Sequence, residues 1–298
     1  MKTLTLSALA ATPLLISNAA SAEIIYGLTT QNSIVVIDSD NPTRSIDGGF
    51  VRGLEAGEVL VDIDYRAGTD EIYALGSFDN VYTLDQDTFN VDLVGNFAPP
   101  SLRGTSFAFD FNNAFAGGVD NPSATDIGRF ARIISDTDTN RVIDGDTGQY
   151  LGTPDKTDVF YAAGDVNEGA DPDIVGIAYT NAIPQAGSTQ QYGIDRNTGA
   201  LVTVANNAGT LETVGSLGLV GFTNEAALDI AGTNDFGFAV LQSGPNSLLY
   251  TVDLATGAAS EVGVFASGDL IRSLTAVPEP TSLALLSVGA LALGRRRA

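Results

Sequence analysis

The chain has 298 residues, contains neither cysteine nor histidine, and carries 36 acidic against 14 basic residues, a net charge of −22. These counts exclude disulfides, thiolate metal sites and cysteine nucleophiles, and remove the imidazole that most often serves as general base, metal ligand or partner of a nucleophilic serine. With 44% hydrophobic residues, 17% charged residues and 33 glycines, the chain has apolar material for a core, is too uncharged for disorder, and needs many tight turns, as short-stranded all-β proteins do.

Residues 1–22 have the three parts of a secretory signal: Lys2, a mostly apolar stretch over 4–16, and Ala20-Ser21-Ala22 as an A-x-A cleavage site. Cleavage by signal peptidase there makes Glu23 the first mature residue. Four of the basic residues, Lys2 and Arg295 to Arg297, and one acid, Glu279, lie in the two terminal segments. The body over 23–276 therefore holds 10 basic and 35 acidic residues, a net −25. Such a surface repels phosphate backbones, so nucleic acid is not an expected partner; solubility outside the cell is the simplest reading of the charge.

Along the body one hairpin recurs: IVVIDSDNP at 34–42, IYALGSFDNVYTLDQDTFNVDLVG at 72–95, RVIDGDTG at 141–148, YGIDRNTGALVTV at 192–204 and LYTVDLATGAASEVG at 249–263. Each is an apolar strand ending in Asp, followed by a polar turn. Asp38, Asp85, Asp144, Asp195 and Asp253 can bond the turn backbone, and Gly148, Gly199 and Gly257 can supply positive φ. The five aspartates lie 47, 59, 51 and 58 residues apart, a period that suits four-stranded propeller blades. A second strand type precedes most of these hairpins: LVDIDY at 60–65, SFAFDF at 106–111, IVGIAY at 174–179 and AALDI at 226–230. The stretch IRSLTA at 271–276 looks like one more such strand with no hairpin after it, whereas 24–37 looks like a blade lacking its first strand. The expected architecture is an all-β propeller of five four-stranded blades, with six as the alternative, closed by pairing of the N- and C-terminal strands. Closure hides sheet edges that would otherwise aggregate.

The body also resembles an uncharacterised bacterial domain-of-unknown-function family. The resemblance is carried by IYGLTTQNSIVVIDS at 25–39, YAAGDVNEGADPDIVGIAYTN at 161–181 and the LYTVDLATG-type hairpins. It implies a propeller-like fold and brings no established activity. The stretch 115–128 departs from it and reads as a surface loop insertion.

The C-terminal VPEPTSLALLSVGALALGRRRA at 277–298 joins a Pro-Glu-Pro motif, a short apolar run and an arginine cluster. The run over 281–294 would span only about 21 Å as a helix, short of the ~30 Å hydrocarbon core, which suits a transient inner-membrane anchor better than a permanent one. The arginines would remain cytoplasmic and leave the body outside. The tail resembles the PEP-CTERM sorting domain, whose motif is recognised by an exosortase that removes the tail. By that resemblance Pro278, Glu279 and Pro280 form the recognition element, and Arg295, Arg296 and Arg297 the stop-transfer cluster. It also implies a mature form at the cell surface or outside the cell, in bacteria that make extracellular polysaccharide. The domain boundaries read from the sequence are thus a signal peptide at 1–22, the propeller at 23–276 and the sorting tail at 277–298.

Three groups of carboxylates invite a chemical reading. Asp136, Asp138, Asn140 and Asp144 place oxygens at alternate positions like the start of a calcium loop. Arg141 and Thr147 stand where an EF-hand needs Gly and Glu, so only a looser calcium site survives, and a polar turn before a strand is the simpler account. The acidic stretch 164–173 takes the same account. Asp64, Asp110 and Asp229 each sit in the strand type placed first in its blade, so they could converge on a central channel and hold a cation or polar ligand there, with Arg66 facing the same way. The simpler account is that each ties strands within its own blade. No nucleophile elbow, phosphate loop or dinucleotide fingerprint is present. The composite expectation is an exported, non-enzymatic surface or matrix-associated protein that binds exopolysaccharide or a partner protein. The alternatives are a carboxylate-dependent polysaccharide hydrolase and a calcium-binding structural protein. No cofactor is expected, with calcium the one candidate.

Overall fold

The computed structural model describes residues 22–98, 101–114, 128–152, 156–184, 186–232 and 236–278. Ala20, the sorting residues Glu279, Pro280 and Arg295 to Arg297, the apolar run 281–294 and most of the expected insertion lie outside them. Among the described residues no helix is long and apolar enough to cross a membrane.

Among the described residues, alternating apolar residues bounded by Asp and Gly turns form 21 strands, grouped in five sheets around one axis. Blade 1 holds β1 (Ile24–Thr29), β2 (Ser33–Asp38) and β3 (Ser45–Phe50). Blade 2 holds β4 (Leu60–Arg66), β5 (Glu71–Gly76), β6 (Asn80–Leu84) and β7 (Val91–Asn96), and blade 3 holds β8 (Phe107–Asn112), β9 (Phe130–Ser135), β10 (Asn140–Asp144) and β11 (Gln149–Tyr150). Blade 4 is preceded by β12 (Phe160–Tyr161) and holds β13 (Ile174–Tyr179), β14 (Gln191–Asp195), β15 (Ala200–Val204) and β16 (Thr210–Ser216). Blade 5 holds β17 (Ala227–Ala231), β18 (Phe236–Ser243), β19 (Asn246–Val252) and β20 (Ala259–Val264), and β21 (Ile271–Val277) returns to blade 1 as its innermost strand, antiparallel to β1. The ring is closed by the two ends of the body, with five blades rather than six.

All five expected first strands are innermost: β4, β8, β13, β17 and β21 begin their sheets and pack against one another around the axis. The five hairpin aspartates do what short polar side chains do at a turn: Asp38, Asp85, Asp144, Asp195 and Asp253 each accept the N–H two residues on. Their placement is less uniform than their spacing suggests. Four lie between the third and fourth strands of a blade, but Asp195 lies between β14 and β15, the second and third strands of blade 4. Blade 4 also departs from four strands, because β12 adds to β16 in parallel as an outer fifth.

The core is divided among the blade interfaces. Ile63, Ile72 and Leu84 of blade 2 meet Leu28 and Ile34 of blade 1. Phe109 and Phe111 of blade 3 meet Tyr73 and Leu75 of blade 2, and Tyr73 and Phe111 stack edge-on with centroids 4.9 Å apart. Glycines let the outer strands close up. A Cβ on Gly95 of β7 would stand 2.1 Å from the Thr147 carbonyl of blade 3, and one on Gly215 of β16 would stand 2.1 Å from the Thr256 carbonyl of blade 5.

Candidate functional site

Aligned on the ring, the inner strands present Asp64, Asp110, Ala178, Asp229 and Thr275 at one level, and Asp62, Ala108, Gly176, Ala227 and Ser273 two residues earlier. One oxygen each of Asp64, Asp110 and Asp229 lies within 4.8 Å of the other two, so the expected convergence occurs. The aspartates tie neighbouring blades together, not strands within one blade. Asp62 and Asp64 accept the Phe109 and Phe111 N–H groups of β8 at 2.6 and 2.7 Å. Asp110 accepts the Tyr179 N–H of β13 at 3.0 Å, and Asp229 accepts the Ala276 N–H of β21 at 2.6 Å. From β21 the Ser273 and Thr275 hydroxyls accept the Ile63 and Tyr65 N–H groups of β4 at 3.0 and 2.9 Å, and Ser273 donates to Asp62. The step from β13 to β17 has no carboxylate. There Gly176 lets the strands touch, since a Cβ on it would lie 2.6 Å from the Leu228 nitrogen.

Edge N–H groups of an inner strand need acceptors once buried, and a carboxylate supplies a strong one. The electrostatic consequence is strain on the ionised form. Burial first, and mutual repulsion second, hold the Asp64 and Asp110 carboxyls well above the usual range. Burial pushes Asp62 up to about 7 against its hydrogen bonds, and Asp229 is raised by burial too. Arg66 offers no relief. It is buried beneath Tyr73 and Phe111 and pairs with Asp146 at 2.6 Å, away from the cluster.

The residues expected as a looser calcium site do not come together. Asp136 caps the Thr105 N–H at 2.9 Å. Asn140 donates to the Thr157 and Asn206 carbonyls at 2.9 and 2.8 Å, and Asp144, at the far end of β10, pairs with Arg129. Asn140 and Asp144 share a face of β10 but stand at its two ends, four residues or about 13 Å apart, and the turn aims Asp136 back at the preceding loop. Asp138 stands apart with φ 65°. Its carboxyl is pushed up to about 6 by burial and by repulsion from Asp171 and Asp158.

A different feature emerges where blades 3 and 4 meet. A cleft of about 330 Å³ opens there, lined by Phe130, Arg132, Lys156, Tyr179, Asn206 and Asn207 among others. Arg132 projects from β9 on the same face as Asp110, its partner across the ladder. Its Nε donates to the Tyr179 hydroxyl at 2.9 Å, Nη1 to Asn140 Oδ1 and the Asn206 carbonyl (3.1 Å), and Nη2 to Asn207 Oδ1 at 3.0 Å. Tyr179 in turn donates to Asn206 Oδ1 at 2.7 Å. These residues escaped the sequence reading. The available signal was one arginine inside the apolar strand FARIIS, in a body with ten basic residues.

The closed ring, its blades latched by buried aspartates and its surface opened at one blade interface, defines a five-bladed β-propeller. Residues 25–275 match the family described as Domain of unknown function (DUF4394), and the chain belongs to that family. Residues 276–298 match the PEP-CTERM protein-sorting motif, which marks an exported protein processed by an exosortase. No curated protein matches the chain. Among solved structures it is similar to TolB from Acinetobacter baumannii, at 13% identity and a TM-score of 0.43 over 82% of this chain and 53% of that one. It is also similar to the dihydro-heme d1 dehydrogenase NirN in complex with DHE, at 9% identity and 0.36 over 83% and 46%. The chain spans about half the length of these two structures.

Proposed function

We propose that the exported body is a non-enzymatic binding protein of the cell surface or extracellular matrix, and that its ligand is exopolysaccharide. The supporting observation is the cleft between blades 3 and 4. Its aromatic and aliphatic walls, Phe130, Tyr179, Val142 and Leu151, suit the C–H faces of a sugar, and the Asn112, Asn206 and Asn207 amides suit its hydroxyls. In this reading signal peptidase frees Glu23, the apolar run 281–294 holds the chain in the inner membrane, and exosortase then releases the body. The central carboxylates support binding over hydrolysis. Each residue is 4–5% exposed and committed to a neighbouring blade, where a glycosidase needs an acid pair open to the sugar. Affinity electrophoresis through gels containing a panel of polysaccharides tests the proposal. Retardation by at least one polymer, with no release of reducing ends, is expected; free migration through all of them, or chain cleavage, refutes it.

A further inference from the structure

Arg132 is a buried cation with neutral partners. It is 5% exposed, flanked in β9 by the buried Ala131 and Ile133, and meets a tyrosine hydroxyl, two asparagine oxygens and a backbone carbonyl. Among the described residues it makes no ion pair, whereas Arg66, Arg129, Arg196 and Arg272 all do. Burying a charge costs heavily unless an anion or a full set of hydrogen bonds offsets it. A body with 35 acidic residues does not want for anions. The nearest by ladder position, Asp110, turns instead to the Tyr179 N–H. The guanidinium's three nitrogens carry five N–H groups. The four bonds to protein leave one N–H, on Nη2, without a protein acceptor.

Resting on the binding role proposed above, we infer that the cleft takes a carboxylate-bearing sugar, a uronate unit, with Arg132 reading the carboxylate. The amide and phenol cage fixes the guanidinium plane without neutralising it, and charge-assisted bonds to a carboxylate are roughly twice as strong as neutral ones. Lys156, whose Nζ reaches the Leu151 carbonyl, lines the same cleft and adds a second positive charge. The volume, about 330 Å³, is at the lower end for small-molecule sites and suits one or two sugar rings inserted from a longer chain. An aromatic wall and amides beside the two cations distinguish this cleft from a bare anion site.

The test compares an oligogalacturonate with its carboxyl-reduced, neutral counterpart of the same linkage and length, by calorimetry on the full chain. The acidic oligomer should bind at least about tenfold more tightly, and Arg132→Gln should abolish that preference. Should Arg132→Gln fail to fold, Lys156→Gln, on a partly exposed loop, must narrow the preference at least threefold. Equal binding of the two oligomers by the wild-type protein, or an unchanged preference in every folded variant, overturns the uronate assignment and leaves polysaccharide binding standing. Binding of neither oligomer, together with free migration through the polysaccharide panel, overturns both.

Discussion

Substituting Asp62 by Asn should reverse the sign of its effect on stability between pH 4.5 and pH 8. Asp62 is 7% exposed, and its carboxyl is raised from 3.8 to about 7 by burial. A group whose folded pKa lies above its unfolded value stabilises the fold fully below the unfolded pKa, and that stability drains away as pH rises through the folded value. A difference of about three pH units corresponds to about 4 kcal/mol lost between roughly pH 4 and pH 7. Asparagine does not titrate, so it removes this slope. It also cannot accept the Phe109 N–H with its amide nitrogen, which leaves a buried donor unpaired at a cost of about 1–3 kcal/mol. The variant should therefore be less stable than wild type at pH 4.5 and more stable at pH 8. Urea unfolding followed by far-ultraviolet circular dichroism gives both values, the chain having no tryptophan to report by fluorescence. Taking differences between the two proteins cancels the titration of surface acids. A gap that is constant with pH, or that favours wild type more at pH 8, would refute the reasoning.

Gly176→Ala should lower the urea midpoint by about 1–3 kcal/mol with an unchanged slope, because its Cβ would press on the Leu228 and Ala227 backbone, which has no rotamer with which to yield. An unaltered midpoint would show that β13 and β17 can separate freely. Tyr82→Phe should cost about 1–3 kcal/mol by calorimetric melting, since Glu58, 4% exposed, loses a donor at 2.5 Å; a loss near zero would mean that Asn80 and the Phe78 N–H suffice. Calcium and chelator should leave the melting temperature unchanged, the central carboxylates being engaged by backbone N–H groups of the neighbouring blades. A saturable rise approaching ~2.7 kcal/mol at a hundred times the dissociation constant would instead make Asp64, Asp110 and Asp229 a metal centre.

What the sequence made legible was local. Asp followed by a polar turn and Gly determines a hairpin within a few residues, so all five turns could be read, and the strand pattern VDIDY or FAFDF distinguished the buried innermost strands. Turn chemistry does not say which hairpin of a blade it closes. Asp195 shows this, because the same Asp-and-polar-turn signal serves β14 and β15 in one blade and a later strand pair in the others. The destination of a carboxylate is likewise not local. Asp64 meets Phe111 through a separation of 47 residues, and only ring closure decides that its partner lies in the next blade. The Asp136–Asp144 stretch does not form a site for the converse reason: nearness in sequence is not nearness in space, because the extended strand separates Asn140 from Asp144 along its length and the turn carries Asp136 to Thr105.

The departures from the repeat fall together. Blade 4 carries Ala178 where its neighbours carry Asp, Gly176 where blade 2 carries Asp62, an added strand β12, and a hairpin marker displaced by one strand. The interface it makes with blade 3, where Ile134 packs with Ile174, Val202 and Leu211, also opens into a cleft lined by Arg132, Tyr179 and the asparagines. A repeat protein needs its repeated positions for the ring itself, so binding chemistry is accommodated where the repeat is relaxed. Ala178 is consistent with that division. Without a carboxylate at this level, blade 4 meets blade 5 through the close backbone approach at Gly176 and through the apolar packing of Val175, Leu201 and Leu217 with Phe222, Leu228 and Tyr250. On this reasoning Ala178→Asp, which restores the repeat, should raise the melting pH-dependence by adding a further buried carboxyl to the centre while leaving ligand affinity unchanged. Loss of binding in that variant would show that the latch and the cleft are one structure rather than two.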